Sequence, residues 1–302
     1  MLKYSCNSCK NAQIHTYLGI GKDGYLKKKI ISFVFIFVMV FSSLSMMSMA
    51  YARGYGPYVN IDGSSFTGEI DVKDNTTFVG IRKFSTSMYW NAKVTYNSYN
   101  RTITVKTDKL TLTAKDGSNY IVANGRYLFT STPIYMKGGR MYAPVLLMAK
   151  AFDAKASWSN ATSSFNITRG SGGILSGDKY YRQDEIYWLS KIINAEAGAE
   201  IFLGKVAVGN VILNRTRSSY FPNTIYGVIF DRKNGVQFSP VSNGTIYNTP
   251  NSDSIIAAKV CLEGYTISPN ILYFVNPVYA PNSWASRNRP YFGKIGNHVF
   301  YL

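Results

Sequence analysis

Asp184-Glu-Ile-Tyr-Trp-Leu-Ser-Lys-Ile-Ile-Asn-Ala-Glu-Ala-Gly-Ala-Glu200 has the spacing of an amphipathic helix. Asp184 suits an N-cap, and Ile186, Leu189 and Ile193 follow on one face. Glu196 comes seven residues after Leu189, about two turns on, so this spacing brings a carboxyl to the apolar face. Desolvation there would raise the carboxyl pKa and suit it to general acid work. Spacing alone leaves a second reading equally open, in which Glu196 lies at the edge of the face with its head in water. Gly198 ends or loosens the helix, and Glu200 is placed one turn further along it.

Downstream, Leu203 to Arg215 is apolar nearly all round and belongs in a core. A third helix is predicted from Ser252, with Gly264 as its C-terminal stop. Cys261 falls near that end, where the helix dipole opposes a thiolate, so it is read as packing. Gln237 and Ser239 are candidates to bond sugar amides, though turn residues before Pro240 look the same. Tyr273, Asn276 and Trp284 are candidates for a groove in which rings stack on sugar faces, with core packing as the competing reading. His298 is read as holding a buried hydrogen bond.

Upstream, Gly170-Ser-Gly-Gly-Ile-Leu-Ser-Gly177 has the composition of a flexible linker, which divides 53–169 from 178–302. The front part carries 15 basic and 7 acidic residues (+8) and the back part 12 and 8 (+4). The front part also repeats itself: Ala92-Lys-Val-Thr-Tyr-Asn-Ser-Tyr-Asn-Arg-Thr-Ile-Thr-Val105 matches Ala154-Lys-Ala-Ser-Trp-Ser-Asn-Ala-Thr-Ser-Ser-Phe-Asn-Ile167. Each copy reads as a hairpin preceded by a helix, Ile81 to Tyr89 and Val145 to Phe152. Residues 1–52 have a signal-peptide layout: Lys27 to Lys29, an apolar run from Ile30 to Phe41, and a small-residue end at Ala50 or Ala52. That run is too short for a permanent span, so a secreted or wall-located monomer with no stable membrane anchor is expected.

The whole chain carries +17 formal charge, three Cys and two His. Cys6, Cys9 and His15 lie in the leader, which leaves Cys261 and His298. A zinc amidase typically needs three protein ligands, and a cysteine peptidase needs Cys and His in contact; neither fits. Carboxylates alone suffice for glycosidic-bond cleavage. Export with a basic surface points to peptidoglycan and anionic wall polymers rather than nucleic acid. No metal or other cofactor is expected.

Two resemblances sharpen this. Arg140-Met-Tyr-Ala-Pro-Val-Leu-Leu-Met-Ala-Lys-Ala-Phe-Asp-Ala-Lys-Ala-Ser-Trp158 is similar to the signature of the copper amine oxidase N-terminal-like domain, which implies a stalk or wall-targeting module of small mixed α+β fold. No His or Cys occurs between 53 and 177, so copper's preferred ligands are missing. In the back part, Asn194-Ala-Glu-Ala-Gly-Ala-Glu200, Gly204-Lys-Val-Ala-Val208, Val211-Ile-Leu-Asn-Arg215, Phe221-Pro-Asn-Thr-Ile225, Gln237-Phe-Ser239 and Gly296-Asn-His-Val-Phe300 resemble the SleB-type cell-wall hydrolase domain, known from spore cortex-lytic enzymes. That resemblance implies a lysozyme-like α+β fold over about 184–302. It also implies cleavage of the muramic acid to glucosamine linkage, with Glu196 as acid.

Gly198-Ala199 is an altered form of the family's Arg-Gly pair, which removes the basis for an arginine contact at that turn. The front domain is not the repeat usually paired with cortex enzymes, so no spore role is carried over. Glu200 shares the acid's side of the bond, and Asp231, Asp253 and Glu263 have no motif-level claim as a water-activating base. A lytic transglycosylase route is therefore expected. The alternatives are a hydrolytic muramidase, an amidase, or a non-catalytic wall-binding protein.

Overall fold

The computed structural model describes residues 56–302 apart from position 234; the leader reading of 1–52 lies outside them. The front part is built from strands β1 (Tyr58–Ile61), β2 (Ser64–Ser65), β3 (Ile70–Lys73) and β4 (Thr76–Gly80), helix α1 (Ile81–Met88), and strands β5 (Lys93–Asn97), β6 (Thr102–Lys106), β7 (Thr111–Lys115), β8 (Tyr120–Ala123) and β9 (Arg126–Phe129). Then follow β10 (Tyr135–Lys137), β11 (Arg140–Pro144), α2 (Val145–Ala151), β12 (Lys155–Ser159) and β13 (Ser164–Thr168). Three sheets result, in the orders β12-β13-β1-β2, β10-β11-β4-β3 and β5-β6-β7-β8-β9.

The repeat is present as hairpin, helix, hairpin, with β3–β4–α1–β5–β6 answering β10–β11–α2–β12–β13. Arg101 and Ser163 hold the same left-handed turn position, at φ 54° and 47°. The two units join where β4 and β11 pair antiparallel, Ala143 opposite Val79. Their helices share a core in which Phe84 touches Phe66 and Phe152 at centroid distances of 5.8 and 6.3 Å.

The back part runs α3 (Gly177–Tyr180), α4 (Gln183–Ala197), α5 (Phe202–Arg217), α6 (Ile225–Ile229), α7 (Ser239–Asn243), α8 (Ser252–Leu262), β14 (Tyr273–Val275), α9 (Trp284–Asn288), β15 (Tyr291–Ile295) and β16 (His298–Tyr301). Helices α4, α5 and α8 pack around Leu189, Ile193, Val208, Val211, Ile212 and Val260, all fully buried. Gly209 permits the close approach: a Cβ there would stand 2.7 Å from Cys261 Sγ and 2.9 Å from Ile193 Cδ1. The small antiparallel sheet β14-β16-β15 closes the domain, so the architecture is mixed α+β. Among the described residues no helix is long and apolar enough to cross a membrane.

Several expectations need correcting. Arg182, not Asp184, holds the N-cap position of α4; Asp184 lies in the first turn, where a negative charge suits the helix dipole, and pairs with Arg182. The helix ends at Ala197, so Glu200 is in the turn beyond rather than on the helix. The Gly/Ser stretch 170–177 is held against the front sheets. Ile174 is buried and its carbonyl accepts from Asn124 Nδ2 at 2.8 Å, while a Cβ on Gly173 would collide with the Lys109 carbonyl. Those glycines serve close packing instead of flexibility.

The front and back parts also share a buried seam. Arg126 on β9 makes two bonds to Glu263, just past α8, at 2.7 and 2.8 Å, and Lys150 Nζ reaches the same carboxylate at 3.0 Å. Tyr181 donates to it at 2.8 Å, and Phe129 meets Tyr265 at 4.2 Å between centroids.

Candidate active site

Glu196 stands one residue before the end of α4, and its neighbourhood is braced by buried polar side chains. Lys205, itself buried, donates to the carbonyls of Gly198 and Glu200 at 3.0 and 2.5 Å, a cation at a helix C-terminus where carbonyls lack partners. Asn194 Oδ1 accepts from the Asn251 amide at 3.0 Å, and Asn251 Nδ2 returns a bond to the Gly198 carbonyl at 3.2 Å. The turn after the acid is thereby tied to the start of α8.

The Glu196 carboxyl has no hydrogen-bond partner among the described residues. Burial pushes its pKa up to about 7, and the only opposing charge is that of Arg215. The reading with the head in water does not match this environment. A carboxyl poised near neutrality can give up a proton and take one back in a single turnover.

Arg215 is the residue sequence reasoning missed. It is buried, its Nε donates to the Leu272 carbonyl at 2.8 Å, and its Nη1 has no partner. Three rings surround the guanidinium: Phe221 at 4.7 Å, Phe238 at 5.3 Å and Tyr273 at 5.4 Å. Tyr273 in turn touches Trp284 at 5.7 Å, and Arg289 lies 4.9 Å from each of those two rings. Trp284 is exposed, so this chain of contacts runs outward from the buried arginine to solvent. A signal was present in the sequence: Lys205, Asn210, Asn214 and Arg215 interrupt an otherwise apolar core helix, and buried polar groups there must find partners.

The other candidates are placed differently. Glu200 accepts from the Asn297 amide at 2.9 Å and from its Nδ2 at 3.1 Å, which clamps the β15–β16 turn. Burial would raise its pKa, but Asn297, His298 and Lys205 outweigh that and hold it low. Buried His298 stands 3.7 Å from Glu200; burial lowers its pKa, Glu200 opposes this only in part, and its Nδ1 makes no hydrogen bond. The expected hydrogen bond is therefore missing at that nitrogen. Gln237 bonds the Gly235 carbonyl at 3.2 Å, Asn276 caps its own turn through Val278 N at 3.0 Å, and Ser239 is an exposed first residue of α7. Tyr273 and Trp284 join the Arg215 cluster; Glu200 and His298 form a separate pair.

Cys261 is fully buried with its thiol pKa pushed up by burial, in keeping with a packing role. No group of His, Cys, Asp and Glu suited to a metal occurs among the described residues. A cavity of about 500 Å³ near Arg182, Trp188, Thr216 and Tyr226 contains none of the candidate residues. Glu263 is committed to the seam, and Asp253 is exposed at the start of α8.

Residues 199–301 match the family model described as cell wall hydrolase, and 59–167 match the copper amine oxidase N-terminal domain. The back half of the chain is thus a cell wall hydrolase domain of the SleB type, joined to a copper amine oxidase N-terminal domain. Its relatives include the spore cortex-lytic enzyme of Bacillus cereus, 40% identical over 120 residues, which are 40% of this chain and 45% of the relative. The Bacillus subtilis spore cortex-lytic enzyme is 36% identical over 120 residues, 40% of this chain and 38% of the relative. A solved structure, the catalytic domain of the germination-specific lytic transglycosylase SleB from Bacillus anthracis, is 38% identical, with 43% of this chain and all of that chain covered and a TM-score of 0.37. The chain spans a little under half the length of the curated relatives it matches. The family match begins three residues past Glu196, so the role of that carboxyl rests on its setting.

Proposed function

We propose that this chain is an exported enzyme that cleaves the glycosidic bond between N-acetylmuramic acid and N-acetylglucosamine in peptidoglycan, as a lytic transglycosylase. The observation that supports it most is the desolvated Glu196 carboxyl, poised near pH 7 without a second carboxylate acting on it. Glu196 gives its proton to the glycosidic oxygen as the C1–O bond breaks. The resulting carboxylate then takes the proton of the muramic acid C6 hydroxyl, whose oxygen closes onto C1. The sugar leaves as a 1,6-anhydro ring, and Glu196 is protonated again. No water is consumed, which suits a site with one acid; hydrolysis needs a second carboxylate or a base at defined spacing. The names of the SleB relatives agree with this class of reaction. The basic front domain holds the enzyme on anionic wall polymers.

Digestion of purified sacculi tests both halves. Fragments from the parent should end in 1,6-anhydromuramic acid and resist borohydride. Glu196→Gln should lose ~10²- to 10⁴-fold in cleavage while still pelleting with sacculi, and that binding should weaken as salt is raised. Reducing muramic acid ends would reject transglycosylation, and near-parent activity of folded Glu196→Gln would reject the acid.

A further inference from the structure

Buried guanidinium groups are expensive when a donor goes unpaired, and Arg215 leaves Nη1 unpaired inside the protein. Its single hydrogen bond, from Nε to the Leu272 carbonyl, orients the group without neutralising it. Packing alone does not explain the charge, since Phe221, Phe238 and Tyr273 would enclose an apolar side chain as well. The groups whose charge reaches this guanidinium are Glu196 on α4, Asp231 in the loop after α6, and Tyr273 on β14. Glu196 feels no charge but that of Arg215. Asp231 is turned toward its own loop, where it accepts from the Lys233 amide at 2.9 Å.

We infer that Arg215 is a positioning residue for the proton transfer at Glu196: held dry in its aromatic cage, it supplies the counter-charge that lets the carboxylate exist between the two halves of the reaction. An acid in an apolar pocket with no cation nearby would hold its proton too tightly to give it to a weakly basic glycosidic oxygen. A guanidinium exposed to water would be screened and would act weakly at that distance. The rings prevent that, and they keep the arginine far from hydrogen-bonding with the acid directly, so the carboxyl stays free for the substrate. Arg215 does not touch the reacting atoms in this scheme; it sets the proton affinity of the group that does.

The inference rests on Glu196 being the proton donor, and the pH profile separates the two. Glu196 works while protonated, so kcat falls on the alkaline side as it ionises. Arg215 favours ionisation; without it that limb must move up in pH. Arg215→Met should shift the alkaline limb upward by about one pH unit or more and lower kcat at its optimum roughly 10- to 100-fold. Arg215→Lys, which keeps the charge, should leave the limb within about half a unit of the parent. Phe238→Leu, which admits water to the guanidinium, should shift it in the same direction as Arg215→Met by less, and serves if that variant does not fold. An unmoved limb in both Arg215→Met and Phe238→Leu, or in Phe238→Leu alone where Arg215→Met is unfolded, overturns the inference. So does an equal upward shift in Arg215→Lys and Arg215→Met. If Glu196→Gln keeps its activity, the assignment of the acid itself has failed, whatever the limb does.

Discussion

Glu196 stabilises the fold less as the pH rises. Its pKa is raised from about 4.5 to about 7 in the folded chain, so between those values the folded state binds more protons than the unfolded one, and stability falls with pH. The full difference is about 3 kcal/mol. Glu196→Gln removes it: the variant should match the parent near pH 4 and exceed it by up to about 3 kcal/mol at pH 8 in urea unfolding. Equal stability at both pH values would mean the carboxyl is hydrated. This residue was legible because one apolar stripe, Ile186, Leu189 and Ile193, carries it into the protein. Arg215 and Glu200 were not, because their partners are distant in sequence: three rings from three separate segments in one case, the Asn297 turn in the other.

Helix α5 shows how an element can be correctly placed and still incompletely read. Its apolar surround announces a core helix, yet two asparagines on it staple the chain that leads to β14. Asn210 bonds Ile267 N and the Tyr265 carbonyl at 2.8 and 2.9 Å, and Asn214 Nδ2 bonds the Ser268 and Ile271 carbonyls, both at 2.9 Å. These bonds set where Leu272 and Tyr273 stand relative to Arg215. Asn214→Leu leaves two carbonyls without donors and should cost about 1–3 kcal/mol for each one left buried. Cleavage should also fall, because the Leu272 carbonyl that orients Arg215 would drift. Denaturant unfolding together with turnover checks this; an unchanged variant would show the loop to be held by its other contacts. The hairpins were easier, since turn positions Arg101 and Ser163 recur at matched places in a visible repeat. The β14-β16-β15 sheet gave no such pattern, because β14 is only three residues long and half-buried throughout.

At the scale of the whole molecule the linker composition suggested two bodies on a tether, whereas the described residues fall in one compact unit. Charge complementarity across the seam explains why. The Glu263 side chain is 3% exposed and that of Arg126 8%, and the partners come from opposite sides of the supposed hinge. Burial would raise the Glu263 pKa, but Arg126 and Lys150 outweigh it and hold it below its usual value. Its contribution is therefore present above the unfolded carboxyl pKa and lost as pH falls through the lower folded value. Removing one partner of such a pair leaves a buried charge, a loss of about 3–5 kcal/mol; Lys150 and Tyr181 still face Glu263, so Arg126→Met should come near the lower figure at pH 7. The loss should shrink toward pH 3, and Arg126→Met with Glu263→Gln should lose less than Arg126→Met alone, since no charge is then stranded. Calorimetry adds a second readout: a single cooperative transition in the parent should separate into two once the seam is weakened. A loss under about 1 kcal/mol at pH 7, with one transition retained, would mean that Phe129, Tyr265 and Phe202 hold the two parts together without the ions.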